Sequence, residues 1–366
     1  MISPLRREAN TTARSSVKAP MLRRLAFTAA IALLGLSPRP AEGVVDHTEA
    51  KAQAATMQST AAQLQPAEGA DEPAPPTWRW RKEDKPVKVV VLAGSIGAFK
   101  RRPYAQQLAG MCSNIEVKNI SQTGLGAWAL KKHFEAQVLG NNRLRWNVEG
   151  EEYWLIFGGG LNSVGNPRST NHHMRRLFEL AHRRGMKAIG LTISPWGDES
   201  DKRWRDLAGL TSRRNTLGSV DFVLGRLTPA EALGNFAEKR RVGADAPWDP
   251  KELPDIAIDL YDSRLRDREA EPRDIDAMRA LLEKSKSWNK AHKDLDELQR
   301  QTKLEADALE ASQIPQWYLR KELRSFDHIH PNADGHQIIA ETICVQMPES
   351  WGCTCPSPDA GAAEAQ

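Results

Sequence analysis

Four short segments of this 366-residue chain carry the side chains of a covalent catalyst. Ala93-Gly94-Ser95-Ile96-Gly97 supplies a serine, Ser121-Gln122-Thr123-Gly124-Leu125-Gly126 a glycine turn, and Gly158-Gly159-Gly160-Leu161-Asn162-Ser163 an asparagine. Asp327-His328-Ile329-His330-Pro331-Asn332 places an aspartate three residues before a histidine. A serine hydroxyl is a weak nucleophile at neutral pH and needs a base within hydrogen-bond reach. Histidine, with an unperturbed pKa of about 6.5, suits that proton transfer, and a carboxylate on its far ring nitrogen fixes the tautomer. Each segment alone also has a plain structural reading: a Gly-Ser turn, an asparagine in a left-handed turn, a loop histidine, an aspartate capping a helix. Their occurrence together and in order points to chemistry. His328 points the other way on alternation and is read as a bystander.

For these segments to meet, four loops must reach one edge of the fold. Residues 87–92 (VKVVVL), 153–157 (YWLIF) and 188–193 (AIGLTI) are near-continuous apolar runs, as in strands covered on both faces of a parallel sheet. Residues 115–120 (IEVKNI) alternate more and predict a strand nearer the edge, and either 220–224 or 256–260 supplies another. Helical spacing lies between them, most clearly over 173–184, where Met174, Leu177, Leu180 and Ala181 share a face. Strands alternating with helices predict right-handed crossovers and a three-layer α/β/α, doubly wound parallel sheet. Active groups in such a sheet collect at the carboxyl ends of the strands. The first three segments each follow a strand, and the fourth precedes a helix-like stretch at 333–343.

This order resembles the SGNH hydrolases, the GDSL-type esterases and lipases, over about residues 86–230 and 252–348. The Asp-x-x-His-Pro-Asn block is its most specific piece, and the Gly-Leu-Asn block comes next. The resemblance implies a flavodoxin-like sheet, Ser95 as nucleophile, Asp327 and His330 completing the triad, and Ser95, Gly124 and Asn162 forming the oxyanion hole. It implies ester hydrolysis through an acyl-serine, with no cofactor. Two positions depart from the family: Gly94 stands where Asp usually precedes the nucleophile, and Ser163 where Asp often follows the asparagine. Both exchanges remove groups that help hold the loops. They leave open an alternative, a catalytically inactive domain that binds a glycan or a protein.

Other functions are disfavoured. A dinucleotide turn needs G-x-G-x-x-G opening a helix, and 93–97 lacks that spacing. No Walker loop is present, His172 and His173 are adjacent rather than four apart, and Cys353-x-Cys355 lacks a second ligand pair, so no metal is assigned. Fifty-one Lys and Arg are interleaved with 47 Asp and Glu for a net +4, without a nucleic-acid module. No apolar run reaches the roughly 18 residues of a membrane span.

Residues 25–36 form a twelve-residue apolar run after Arg23 and Arg24 and before Ala41-Glu42-Gly43, the pattern of a secretory signal peptide. The pattern improves if translation starts at Met21. Residues 1–43 are thus expected to be a signal region and 44–85 a disordered linker of Ala, Gln, Thr, Glu and Pro, which makes the protein secreted or periplasmic. An oxidising compartment would allow two bridges among Cys112, Cys344, Cys353 and Cys355, in any of three pairings. Residues 86–348 are expected to form the folded domain, with 349–366 a flexible Cys-bearing tail. A charged helical insertion occupies about 263–325, where Leu281, Trp288 and Leu295 recur at seven, with Ala291 and Leu298 as partner positions. It reads either as a long helix packed on the body or as a coiled-coil arm for a protein partner. Trp128 and Trp196 lie at strand ends and are candidate walls of a substrate pocket, with Trp154 nearby. The expected substrate is a small acyl ester, such as an acetyl group on a glycan.

Overall fold

The computed structural model describes residues 76–356; the expected signal region and most of the expected linker lie outside the described residues. Strand β1, Val87–Ala93, is buried at all seven positions. Its alternating side chains divide between two cores, as the two-residue period of a strand requires. Val87, Val89 and Val91 pack with Leu108 of helix α1 (Tyr104–Met111). Val90 and Leu92 pack on the other face with Leu130 and Phe134 of α2 (Ala127–Phe134). Lys88 survives inside because its ammonium lies 3.1 Å from Glu116 and 3.6 Å from Glu151.

Strands β2 (Ile115–Asn119), β3 (Glu152–Gly158), β4 (Lys187–Leu191) and β5 (Ile256–Ile258) complete a parallel sheet in the order β2-β1-β3-β4-β5. Helices α3 (Pro167–Arg183) and α4 (Asp206–Val223) join α2 on one face, and α9 (Ala333–Cys344) joins α1 on the other. The chain leaves β1 toward β2 and returns to pair β3 on its other side, so the strand order reverses at β1. The crevice beyond β1 and β3 is therefore the place for a site.

Of the two candidates for another strand, 256–260 contains β5, whereas 220–224 is the end of α4. Val220, Phe222 and Val223 are buried there, and a short apolar run on a covered helix has no period to distinguish it from a strand.

Both boundaries of the folded region move outward. Packed chain begins before residue 85: Trp78 is buried and its indole N–H donates to the Gln137 carbonyl at 3.1 Å. Arg81 and Lys82 donate their backbone N–H groups to Glu116. At the other end, residues 349–356 are held down rather than flexible. Disulfides join Cys112 to Cys353 and Cys344 to Cys355, and Trp351 is buried edge-on against Trp154.

The charged insertion is three helices rather than one. After the short α5 (Pro229–Leu233) and β5 come α6 (Ile275–Lys284), α7 (Lys286–Ala291) and α8 (Glu297–Ser312). Each starts at a side-chain cap, from Asp274, Ser285 and Asp296. These breaks interrupt the seven-residue seam: Leu298 is 79% exposed, whereas Met278, Leu282, Trp288, Leu304 and Ala308 are buried. The hairpin packs on α4, where Arg214 pairs with Asp307 and Glu310. Among the described residues, no helix is long and apolar enough to cross a membrane.

Candidate active site

Ser95 lies two residues beyond β1, in a turn closed by the Ala98 N–H on the Gly94 carbonyl. Its Oγ is 2.5 Å from His330 Nε2, and His330 Nδ1 faces Asp327 Oδ2. The loop carrying the pair is shaped by its own carboxylate. Asp327 Oδ1 accepts from the backbone N–H groups of Ile329 and His330 at 3.0 Å and from Ser325 Oγ at 2.8 Å. Burial pushes this carboxyl up, but the donors, led by the His330 N–H, outweigh it and hold the pKa down to about 2. The loop closes through Ser325 N–H on the His330 carbonyl, and Asn332, not Asp327, caps α9.

The second and third segments meet beside Ser95. Gly124 has φ +83, a left-handed turn open to glycine at little cost. Asn162 Nδ2 donates to the Leu125 carbonyl at 3.2 Å, which leaves its second hydrogen free. A Cβ at Gly94 would stand 3.2 Å from that same nitrogen, so glycine before the nucleophile lets the asparagine approach the turn. Ser163 ties the two loops together. Its Oγ accepts from the Ala127 N–H at 3.1 Å and donates to the Gly160 carbonyl at 3.2 Å. Thr170 Oγ1 donates to the Ser163 carbonyl at 2.6 Å. Thus both positions that depart from the family pattern have a local task.

The structure brings Ser95, Asp327 and His330 into contact and sets Asn162 against the Ser95 turn, with Gly124 on the loop that accepts the Asn162 amide. Trp128 is 55% exposed on the first turn of α2, just after that loop. Trp196 cannot line a pocket: it is 1% exposed, edge-on to Trp204 and packed with Ile193, Tyr261 and Ile314. A tryptophan at a strand end is drawn inward here because α4 and the segment after α8 cover it.

Asp198, two residues further, has a task that reading Trp196-Gly197-Asp198 as a pocket wall does not give it. It accepts from Arg324 Nη1 at 2.5 Å and lies 3.2 Å from His328 Nδ1, so the loop after β4 grips the Asp327–His330 loop. Burial raises its pKa, and hydrogen bonds from Ser200 with the charges of Arg324 and His328 bring it below the ordinary value. His328, read as a bystander, holds the left-handed φ of +59 that turns this loop. Its adjacency to the Asp-x-x-His block was the available signal.

His336 is fully buried behind the pair, stacked on Phe99 and accepting from the Tyr104 N–H through Nδ1. Burial, then the charge of His330, lowers its pKa to about 4. The sulfurs of Cys112, Cys344 and Cys353 lie within 4.8 Å of one another, but all three are in disulfides. A cavity of about 20 Å³ lies beside Ile96, walled by Leu161, Ile193 and Leu260.

No family model matches the chain, and no curated protein matches it. Similar solved structures include a member of the lipolytic G-D-S-L family from Veillonella parvula, at 12% identity and TM-score 0.38 over 71% of this chain and 98% of that one. The acetyl xylan esterase AlAXEase matches at 13% and 0.37, over 71% and 100%. An acetyl xylan esterase from Geobacillus stearothermophilus matches at 14% and 0.36, over 74% and 97%. The sheet order β2-β1-β3-β4-β5, with a Ser after β1, a Gly after β2, an Asn after β3 and an Asp-x-x-His loop before the last long helix, gives this chain the architecture of the SGNH hydrolases.

Proposed function

We propose that this chain is an exported serine esterase that removes a small acyl group, of acetyl size, from a hydroxyl of a glycan. The unbroken contact from Asp327 through His330 to Ser95, ending in the 2.5 Å approach of Nε2 to Oγ, carries the reading. Ser95 Oγ attacks the ester carbonyl as His330 Nε2 takes its proton. The ionised Asp327 holds the ring and stabilises the imidazolium. The tetrahedral oxyanion is met by the free Asn162 amide hydrogen and by the backbone N–H groups of Ser95 and Gly124. Collapse returns the proton to the leaving alcohol and leaves an acyl-serine, which water clears by the same relay. The small cavity beside Ile96 has room for about one water, which supports a short acyl chain over a long one. Two disulfides and the basic-then-apolar N-terminal sequence support export.

Intact-mass analysis after a fluorophosphonate probe tests the mechanism: wild type should gain one adduct and Ser95→Ala none. Absence of labelling beside a labelled control esterase would favour an inactive binding domain. p-Nitrophenyl acetate should be cleaved faster than longer-chain esters.

A further inference from the structure

A groove of about 290 Å³ between α1 and α9 has no part in this chemistry. Arg102, Gln106, Gln107, Met111 and Gln337 line it, along α1 from the residues before it to its last residue and against the second turn of α9. Its two walls extend from the segments that bear the nucleophile and the base: Arg102 is seven residues after Ser95, and Ala333 three after His330. The walls are stitched together, because Gln107 Nε2 donates to the carbonyls of Arg102 at 2.7 Å and Ala333 at 3.3 Å. Arg102 keeps a left-handed φ of +52, a conformation costly for a side chain of its kind.

Charge separates this groove from a merely polar crease. Lys100, Arg101 and Arg102 are consecutive, exposed and without an ion-pair partner among the described residues. Glu341, which accepts from Gln337, is already neutralised by Arg264 at 2.5 Å. Asp334 is exposed on the first turn of α9 and pairs with none of these three cations among the described residues. Side-chain amides suit sugar hydroxyls, and a guanidinium binds a carboxylate through two parallel bonds.

We infer that the groove seats the carboxylate-bearing sugars of an O-acylated acidic polysaccharide and so presents one of its esters to Ser95. This substrate class rests on the esterase reading. The test compares acetate release from O-acetylated polygalacturonate and from soluble, neutral cellulose acetate, with p-nitrophenyl acetate as the small ester. Wild type should have the lower KM on the acidic polymer, and salt should raise that KM. Arg102→Asn, which suits the left-handed backbone, and Lys100→Gln/Arg101→Gln should each raise it about tenfold relative to the other two substrates. Equal KM on acidic and neutral polymers, or no change in the variants, overturns the inference while leaving the esterase intact. If p-nitrophenyl acetate is not cleaved, the esterase reading fails. Calorimetric binding of unacetylated polygalacturonate then decides the groove by itself: binding lost in Arg102→Asn supports it, and no binding by wild type overturns it.

Discussion

Ser163→Ala removes one oxygen from the site without touching the triad. The Gly160 carbonyl keeps its bond from the Ser163 N–H at 2.9 Å, and the Thr170 hydroxyl, which loses its 2.9 Å contact with Ser163 Oγ, keeps its bond to the Ser163 carbonyl. The loss therefore falls on the Ala127 N–H, at the buried start of α2, which is left without its partner. An unmet buried donor costs about 1–3 kcal/mol. The loop that carries Gly124 ends at this N–H, so the cost appears where the proposed oxyanion donor is held. If all of it reached the transition state, the rate would fall by about 5–150-fold. That is below the roughly 10²–10³ expected for deleting a donor outright, because the Gly124 N–H is loosened rather than removed.

The expected result on p-nitrophenyl acetate is thus a fall in kcat of about tenfold or more with little change in KM. The rate of fluorophosphonate labelling should fall with it, since phosphonylation builds charge on the same oxygen. Thermal unfolding should shift down by a few degrees. A lowered melting temperature with kcat and labelling rate unchanged would refute the argument, because the hydroxyl would then hold the fold and not the site. Thr170→Val, which spares the Ser163–Ala127 bond, should lose much less activity than Ser163→Ala.

Asp327→Asn should lower kcat by about 10⁴-fold by favouring the wrong histidine tautomer, measured on the same ester. In the wild type the folded-state pKa of Asp327 lies below its unfolded value, so its contribution to stability is complete above the ordinary carboxylate range and fades as pH falls toward about 2; acid titration of unfolding, with and without the substitution, checks this. Cys344→Ser/Cys355→Ser opens an 11-residue loop and should cost roughly 3 kcal/mol in denaturant unfolding. Excising residues 274–312 uncovers Leu210 and strands Arg213 and Arg214 from Glu310 and Asp307, so it should give a destabilised or insoluble protein rather than one with a new substrate preference, as solubility and melting will show. Gly94→Asp should lower kcat, because its Cβ stands 3.2 Å from Asn162 Nδ2 and the amide must yield by a few tenths of an ångström.

What can be read from the sequence here is what local structure fixes. Ser95 and Asn162 sit one short turn past buried strands, and β1 and β3 are adjacent, so naming the strands brings the residues together. Asp327 and His330 are three apart in a loop that the carboxylate itself folds, which makes them legible as a pair. Features that need distant chain were misread. Trp196 is judged by Trp204, Tyr261 and Ile314, none of them predictable from a strand end, and Asp198 gains its meaning from Arg324, 126 residues later. Charged composition predicts the helices of the insertion but hides their breaks, although Ser285 and Asp296 are cap-forming residue types. Gly94 and Ser163 show the same limit in the site. Compared one position at a time with a family pattern, each looks like a lost support. In three dimensions both bear on one object, the junction of the Gly124 and Asn162 loops: glycine makes room for the asparagine, and serine fastens the loop beneath it. Coupled positions of this kind need not behave additively, so the effect of an aspartate placed at one of them depends on the residue kept at the other.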